Sequence, residues 1–221
     1  MTRTLRSHRR GPPKGSAESV VIFVHGYGAD GADLLGLADP LGPHLKGTAF
    51  YAPDAPEPSV ANPQGFQWFP IPWIDGSSEA AALAGLLAAA DDLDGFVDTV
   101  LADEGLTADR LALVGFSQGT MLSLHVAPRR PDPIAAVVGF SGRLMLPERL
   151  EAEARSKPPV LLVHGDRDDV VPPAALPQAA DALTAAGFEV FAHVSKGTGH
   201  GIAHDGLSLA LAFLRDKLNI A

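Results

Sequence analysis

Six short runs of β-branched, aromatic and aliphatic residues recur along this chain, at residues 20–24, 48–52, 111–115, 134–140, 159–164 and 189–194. Between them lie longer stretches whose apolar residues return every three or four positions, at 77–104, 117–127, 147–156, 174–186 and from 201 onward, where Leu207, Leu211, Leu214 and Leu218 keep that spacing. A further helical stretch begins near Asp30. A strand, a helix and a second strand close into a right-handed parallel unit, and repetition of that unit builds a mainly parallel sheet with helices on both faces. Strands of such a sheet are buried on both sides, which matches the near-continuous apolar character of these six. The alternation predicts an α/β fold with one domain over residues 18–221.

Composition narrows the functional classes. The chain has no cysteine, so disulfides, thiolate nucleophiles and cysteine-rich metal sites are excluded, and covalent catalysis must use oxygen or nitrogen. The longest apolar stretch, residues 80–90, is about half the ~20 residues that span a bilayer, so stable membrane insertion is not expected. Net charge is −9, yet five of the seventeen basic residues (Arg3, Arg6, Arg9, Arg10 and Lys14) precede the first acid, Glu18. The body is therefore more acidic than the total and lacks the basic face that nucleic acid requires. Residues 1–17 read as a basic first strand or a solvated tail; they hold no apolar segment of the kind a secretory signal needs, so a cytoplasmic protein is expected.

Residues 53–76 break the alternation. They hold six prolines, both tryptophans of the chain and no clear period. A long aromatic loop of this kind in a compact domain is usually functional, and it is expected to cover the active site.

Gly115-Phe116-Ser117-Gln118-Gly119 is a Gly-x-Ser-x-Gly pattern, of which chance supplies roughly 0.1 in a chain of this composition. It follows an apolar strand and precedes a helix, the setting of a nucleophile elbow, where glycines let the backbone turn sharply and leave the serine Oγ at the end of the sheet. A serine hydroxyl needs an imidazole as base and a carboxylate to orient it, following in the order acid, then histidine. His200, in the Gly-rich loop Gly197-Thr198-Gly199-His200-Gly201, is the preferred base, with His204 its rival in the next helical turn. His125 should point away from the elbow, His193 should pack within a strand, and His25 and His164 should support the turns at two strand ends. Asp166, Asp168 and Asp169 qualify equally as the acid. The backbone N–H groups of Gln118 and Tyr27 are placed to bind an oxyanion. Neither a nucleotide site nor a metal is expected: the Gly26, Gly28, Gly31 spacing is wrong for a dinucleotide turn, and Gly201 stands where a zinc-hydrolase helix would carry Glu.

These residues resemble the phospholipase/carboxylesterase family of α/β-hydrolases, which includes bacterial carboxylesterases and acyl-protein thioesterases. The likeness rests on His25-Gly26-Tyr27-Gly28-Ala29-Asp30, on the Ser117 motif, on His164-Gly165-Asp166-Arg167-Asp168-Asp169-Val170-Val171-Pro172 and on Gly199-His200, in order across residues 20–218. Thr120 and Asp169 depart modestly from it. The resemblance implies an α/β-hydrolase fold, selects Asp168 as the acid and supports His200 as the base. It also implies that the loop at Gln67-Trp68-Phe69-Pro70 borders an acyl pocket, which nominates Trp68, Phe69, Ile71 and Val171 as substrate contacts, and that homodimers are common. A serine carboxylesterase acting on a small acyl ester without cofactor is expected. Acyl-protein thioesterase and lysophospholipase activities use the same machinery. Dienelactone hydrolases share the fold but need a cysteine this chain lacks. A non-catalytic ligand-binding module on the same scaffold is the reading from another class.

Overall fold

The computed structural model describes residues 2–220. Its strands are β1 (Ser7–Arg10), β2 (Ser19–Val24), β3 (Thr48–Pro53), β4 (Glu57–Pro58), β5 (Phe66–Gln67), β6 (Leu111–Phe116), β7 (Ala136–Phe140), β8 (Val160–Gly165) and β9 (Val190–Ser195). Its α-helices are α1 (Gly31–Leu35), α2 (Ala38–Leu41), α3 (Pro72–Asp75), α4 (Glu79–Glu104), α5 (Gln118–Val126), α6 (Pro147–Glu153), α7 (Ala175–Ala185) and α8 (His204–Lys217). Seven strands form one sheet in the order β1-β3-β2-β6-β7-β8-β9, parallel throughout except for the β1–β3 pair. Alternate residues along β2 divide two apolar cores. Val20, Ile22 and Val24 face α4 to α7, while Val21 and Phe23 face α1, α2 and α8. This is the mainly parallel α/β sheet that the alternation predicts and the α/β-hydrolase fold that the resemblance implies.

The basic start is a strand. β1 pairs antiparallel with β3, from Ser7 opposite Pro53 to Arg10 opposite Phe50. Two buried carboxylates of α4 hold it. Asp92 accepts from the Arg3 backbone N–H and from Nε, both at 2.7 Å, and Glu104 takes Arg9 Nη2 at 2.7 Å and the Tyr51 hydroxyl at 2.5 Å. Burial and the facing carboxylate push the Tyr51 phenol up to about 12.

Three expectations are refined. The helix expected from Asp30 is two short helices, α1 and α2, with Asp30 capping the first through Asp33 N–H. The loop 53–76, read as aperiodic, contains the two-stranded β4–β5 ribbon and the single-turn α3. His193 is not a packing residue. Its strand, β9, lies at the sheet edge, so the side chain is half-buried and its Nε2 meets Asp205 Oδ2 at 2.7 Å.

Candidate active site

The C-terminal ends of β6, β7 and β8 converge on Ser117. Its backbone sits at φ 53°, ψ −113°, a conformation that costs a non-glycine residue roughly 1–3 kcal/mol and persists only where the surroundings enforce it. Ser117 N–H donates to Phe140 O at 2.8 Å, and Met121 N–H donates back to Ser117 O at 3.1 Å. The flanking glycines are required by space: a Cβ on Gly119 would lie 1.8 Å from Val24 O, and one on Gly115 would lie 2.5 Å from Thr120 N. The turn packs directly on β2, and no larger residue fits behind it.

The structure brings together Asp168 and His200, the residues that the resemblance selects as acid and base. His200 Nδ1 lies 2.8 Å from Asp168 Oδ2, while Asp168 Oδ1 accepts the N–H groups of Val170 at 2.9 Å and Val171 at 2.8 Å. Burial acts to raise the Asp168 pKa, but its hydrogen bonds to His200, Val171 and Val170 outweigh burial and hold the carboxyl below its ordinary range. Asp166 is a latch instead, accepting Gly197 N–H at 2.6 Å and so fixing the loop that carries His200. Asp169 is exposed, and His204 is an exposed residue at the start of α8. The His200 ring sits 5.0 Å from the ring of Phe116, the residue before Ser117. Among the described residues no direct hydrogen bond joins His200 to Ser117; in the absence of substrate such contacts are commonly long and tighten on binding.

Both strand-end histidines support their turns, and each does more than sequence reasoning assigned. His25 Nε2 accepts the Ala55 N–H at 3.0 Å, so the ring proton lies on Nδ1, which donates to Gly26 O at 2.7 Å. Burial keeps this imidazole neutral by lowering its pKa. His164 Nε2 contacts two acceptors, Val171 O at 2.9 Å and Asp168 Oδ2 at 3.2 Å, and therefore carries a proton that helps fix the carboxylate. The Val-His-Gly sequence at both strand ends was the available signal. His125, as expected, lies away from the elbow, near the far end of α5.

The loop 53–76 is clamped onto the elbow. Gln118 Oε1 accepts Trp68 N–H at 2.9 Å, Gln118 Nε2 donates to Phe69 O at 2.7 Å, and Trp68 Nε1 donates to His25 O at 3.0 Å. Trp68, Phe69, Ile71 and Val171 are each exposed by 3% or less and belong to one apolar cluster with Leu144 and Met121, against which Tyr27 packs. The loop that carries Tyr27 approaches closely, since a Cβ on Gly26 would lie 3.3 Å from Ser117 Cβ. Among the described residues neither the Tyr27 nor the Gln118 backbone N–H donates to another protein group.

A sequence profile described as Phospholipase/Carboxylesterase matches residues 11–218. The chain belongs to that family. It is 28% identical over 207 residues to the Escherichia coli (strain K12) protein Esterase YpfH, covering 92% of this chain and 84% of that one. Among solved structures, esterase PE8 superposes with a TM-score of 0.92 at 43% identity, covering 98% of this chain and all of that one. Zea mays acyl-protein thioesterase 2 superposes at 0.77 with 27% identity, covering 96% and 99%. The family member described here is accordingly a carboxylic ester hydrolase.

Proposed function

We propose that Ser117, His200 and Asp168 form the triad of a serine carboxylesterase that cleaves short- to medium-chain acyl esters through an acyl-enzyme. The observation that carries this reading is the 2.8 Å contact of His200 Nδ1 with the buried Asp168 carboxylate, at the sheet end where Ser117 is held at φ 53°. Because Asp168 accepts from Nδ1–H, the Nε2 lone pair of His200 faces outward as a base. It takes the Ser117 hydroxyl proton as Oγ attacks the ester carbonyl. The Tyr27 and Gln118 N–H groups receive the oxyanion, and the start of α5 adds its positive dipole end. His200 then returns the proton to the departing alkoxide. Water repeats the sequence on the acyl-enzyme and releases the acid.

The acyl chain lies against the apolar cluster, with Ile71 and Val171 as its wall and Trp68 and Phe69 behind. Relatives named acyl-protein thioesterase favour a thioester as the second substrate. No helix among the described residues is long and apolar enough to cross a membrane, and the enzyme is proposed to act in the cytoplasm on a small, diffusible ester.

The test is a chain-length series of p-nitrophenyl esters and acyl thioesters, with Ser117→Ala as control and fluorophosphonate labelling of the folded protein. Activity that survives in Ser117→Ala, or no adduct on Ser117, sinks the mechanism, and the latter result restores the ligand-binding module.

A further inference from the structure

Arg143 follows β7 at the same sheet end as Ser117. One residue earlier, a Cβ on Gly142 would stand 2.9 Å from Ser117 O and 2.4 Å from Thr120 Cβ. Residue 143 therefore emerges directly from the wall of the elbow. Its guanidinium carbon lies 5.5 Å from the centre of the Trp73 ring, within cation–π range. Trp73 sits in α3, just beyond the clamped Trp68-Phe69 segment, and is 52% exposed despite its size. Two segments that flank the nucleophile thus meet at its rim through one cation and one indole.

The charge on that rim is uncommitted. Arg3, Arg9, Arg129, Arg130 and Lys217 make ion pairs, whereas Arg143, like Arg149 and Arg167, makes none among the described residues. Two nearby carboxylates are already occupied. Asp168 is taken by His200 and the Val170 and Val171 N–H groups, and Asp75, two residues beyond Trp73, accepts the N–H groups of Ile71 and Ser77 at 2.9 Å each. A guanidinium lying against an aromatic ring keeps in-plane N–H donors available for bidentate contact with a carboxylate or phosphate.

The geometry points to Arg143 as a specificity-determining residue that receives an anionic group, a carboxylate or a phosphate, carried by the ester substrate. This rests on the serine esterase reading and names the class of ester it favours.

The test compares kcat/KM within two matched pairs: p-nitrophenyl butyrate against mono-p-nitrophenyl succinate, and the butyryl ester of glycerol against that of glycerol phosphate, the second pair followed by acid release. Arg143→Ala is expected to lower the anionic member of at least one pair roughly fivefold while changing the neutral member by less than about twofold. Arg143→Lys should recover part of the loss, and high salt should erase the wild-type preference. A response confined to the succinate pair assigns the group to a carboxylate on the acyl half, and one confined to the other pair assigns it to a phosphate on the alcohol half. Equal losses on neutral and anionic members make Arg143 a brace for Trp73 and overturn the proposal, as does indifference in both pairs. Ser117→Ala is run alongside. Activity persisting there breaks the esterase reading, whereas indifference to Arg143 in an enzyme that Ser117→Ala silences leaves that reading intact.

Discussion

Replacing Asp168 by Asn tests the site with almost no change of shape. The carboxylate makes three hydrogen bonds: Oδ1 accepts from Val170 and Val171, and Oδ2 accepts from His200 Nδ1, with His164 Nε2 at 3.2 Å from the same oxygen. An amide offers one oxygen. If that oxygen serves the two backbone N–H groups, the NH2 faces two imidazole N–H donors, and His200 escapes by moving its proton to Nε2. That tautomer cannot accept the Ser117 proton. If the amide is flipped, its NH2 meets the Val170 and Val171 N–H groups instead, leaving them buried and unpaired. Two buried N–H groups without an acceptor disfavour the flipped form, so the first arrangement prevails and kcat falls, on the order of 10⁴-fold by analogy with the same change in other triads. Hydrolysis of p-nitrophenyl butyrate gives the rate, circular dichroism checks the fold, and imidazole ¹⁵N shifts report the tautomer. The acid limb of stability should respond as well. The folded pKa of Asp168 is depressed, so its contribution is present above the unfolded carboxyl pKa and is lost as pH falls through the folded one. Asp168→Asn should flatten that part of the profile. A folded Asp168→Asn enzyme that keeps more than about a tenth of wild-type kcat/KM refutes the reasoning.

Other outcomes follow from the same coordinates. Gln118→Ala strands the Trp68 N–H and the Phe69 carbonyl in the interior and should cost about 2–4 kcal/mol in urea unfolding, with increased proteolysis of the loop 53–76. Arg9→Ala leaves the fully buried Glu104 without its cation and should cost about 3 kcal/mol, a loss that Glu104→Gln in the same chain partly reverses in a double-mutant cycle. His125 is buried and its pKa is lowered to about 4, chiefly by desolvation, so the unfolded chain binds its proton first and stability falls as pH drops from about 6.5 toward 4. His125→Phe should remove on the order of 2 kcal/mol of that fall, read from unfolding curves at pH 7 and pH 4.5.

The central sheet was legible because burial on both faces leaves a parallel strand almost wholly apolar, and residues 111–116 and 160–165 show that without help from distant residues. The turn at Ser117 was legible for a related reason: space behind it forces glycine at 115 and 119, so steric need is written into the sequence. Choosing Asp168 from three neighbouring aspartates was another matter. Asp166 accepts Gly197 N–H and Asp168 meets His200 Nδ1, partners 31 and 32 residues away in one distant loop, and which aspartate faces the imidazole is not encoded in local pattern. The loop 53–76 was opaque on similar grounds. Its course is set by Gln118 and His25, polar anchors remote in sequence, and not by any hydrophobic period. Trp73 and Arg143 were missed because they are exposed and lie about seventy residues apart, so nothing nearby in the chain marks them as a pair.

Gln118 gives the enzyme a mechanical economy. Its backbone N–H is the proposed oxyanion donor, and its side chain grips both ends of the Trp68-Phe69 peptide that backs the acyl wall. On the proposed mechanism, one residue thereby joins the surface against which the acyl group lies to the N–H that would stabilise charge on the carbonyl. On that mechanism an acyl chain too large for the wall would push on the same lever that aims the donor, and misfit would register in turnover more than in affinity. Selection among acyl groups in this family member would then be read chiefly in kcat, with KM nearly constant along a series of increasing chain length.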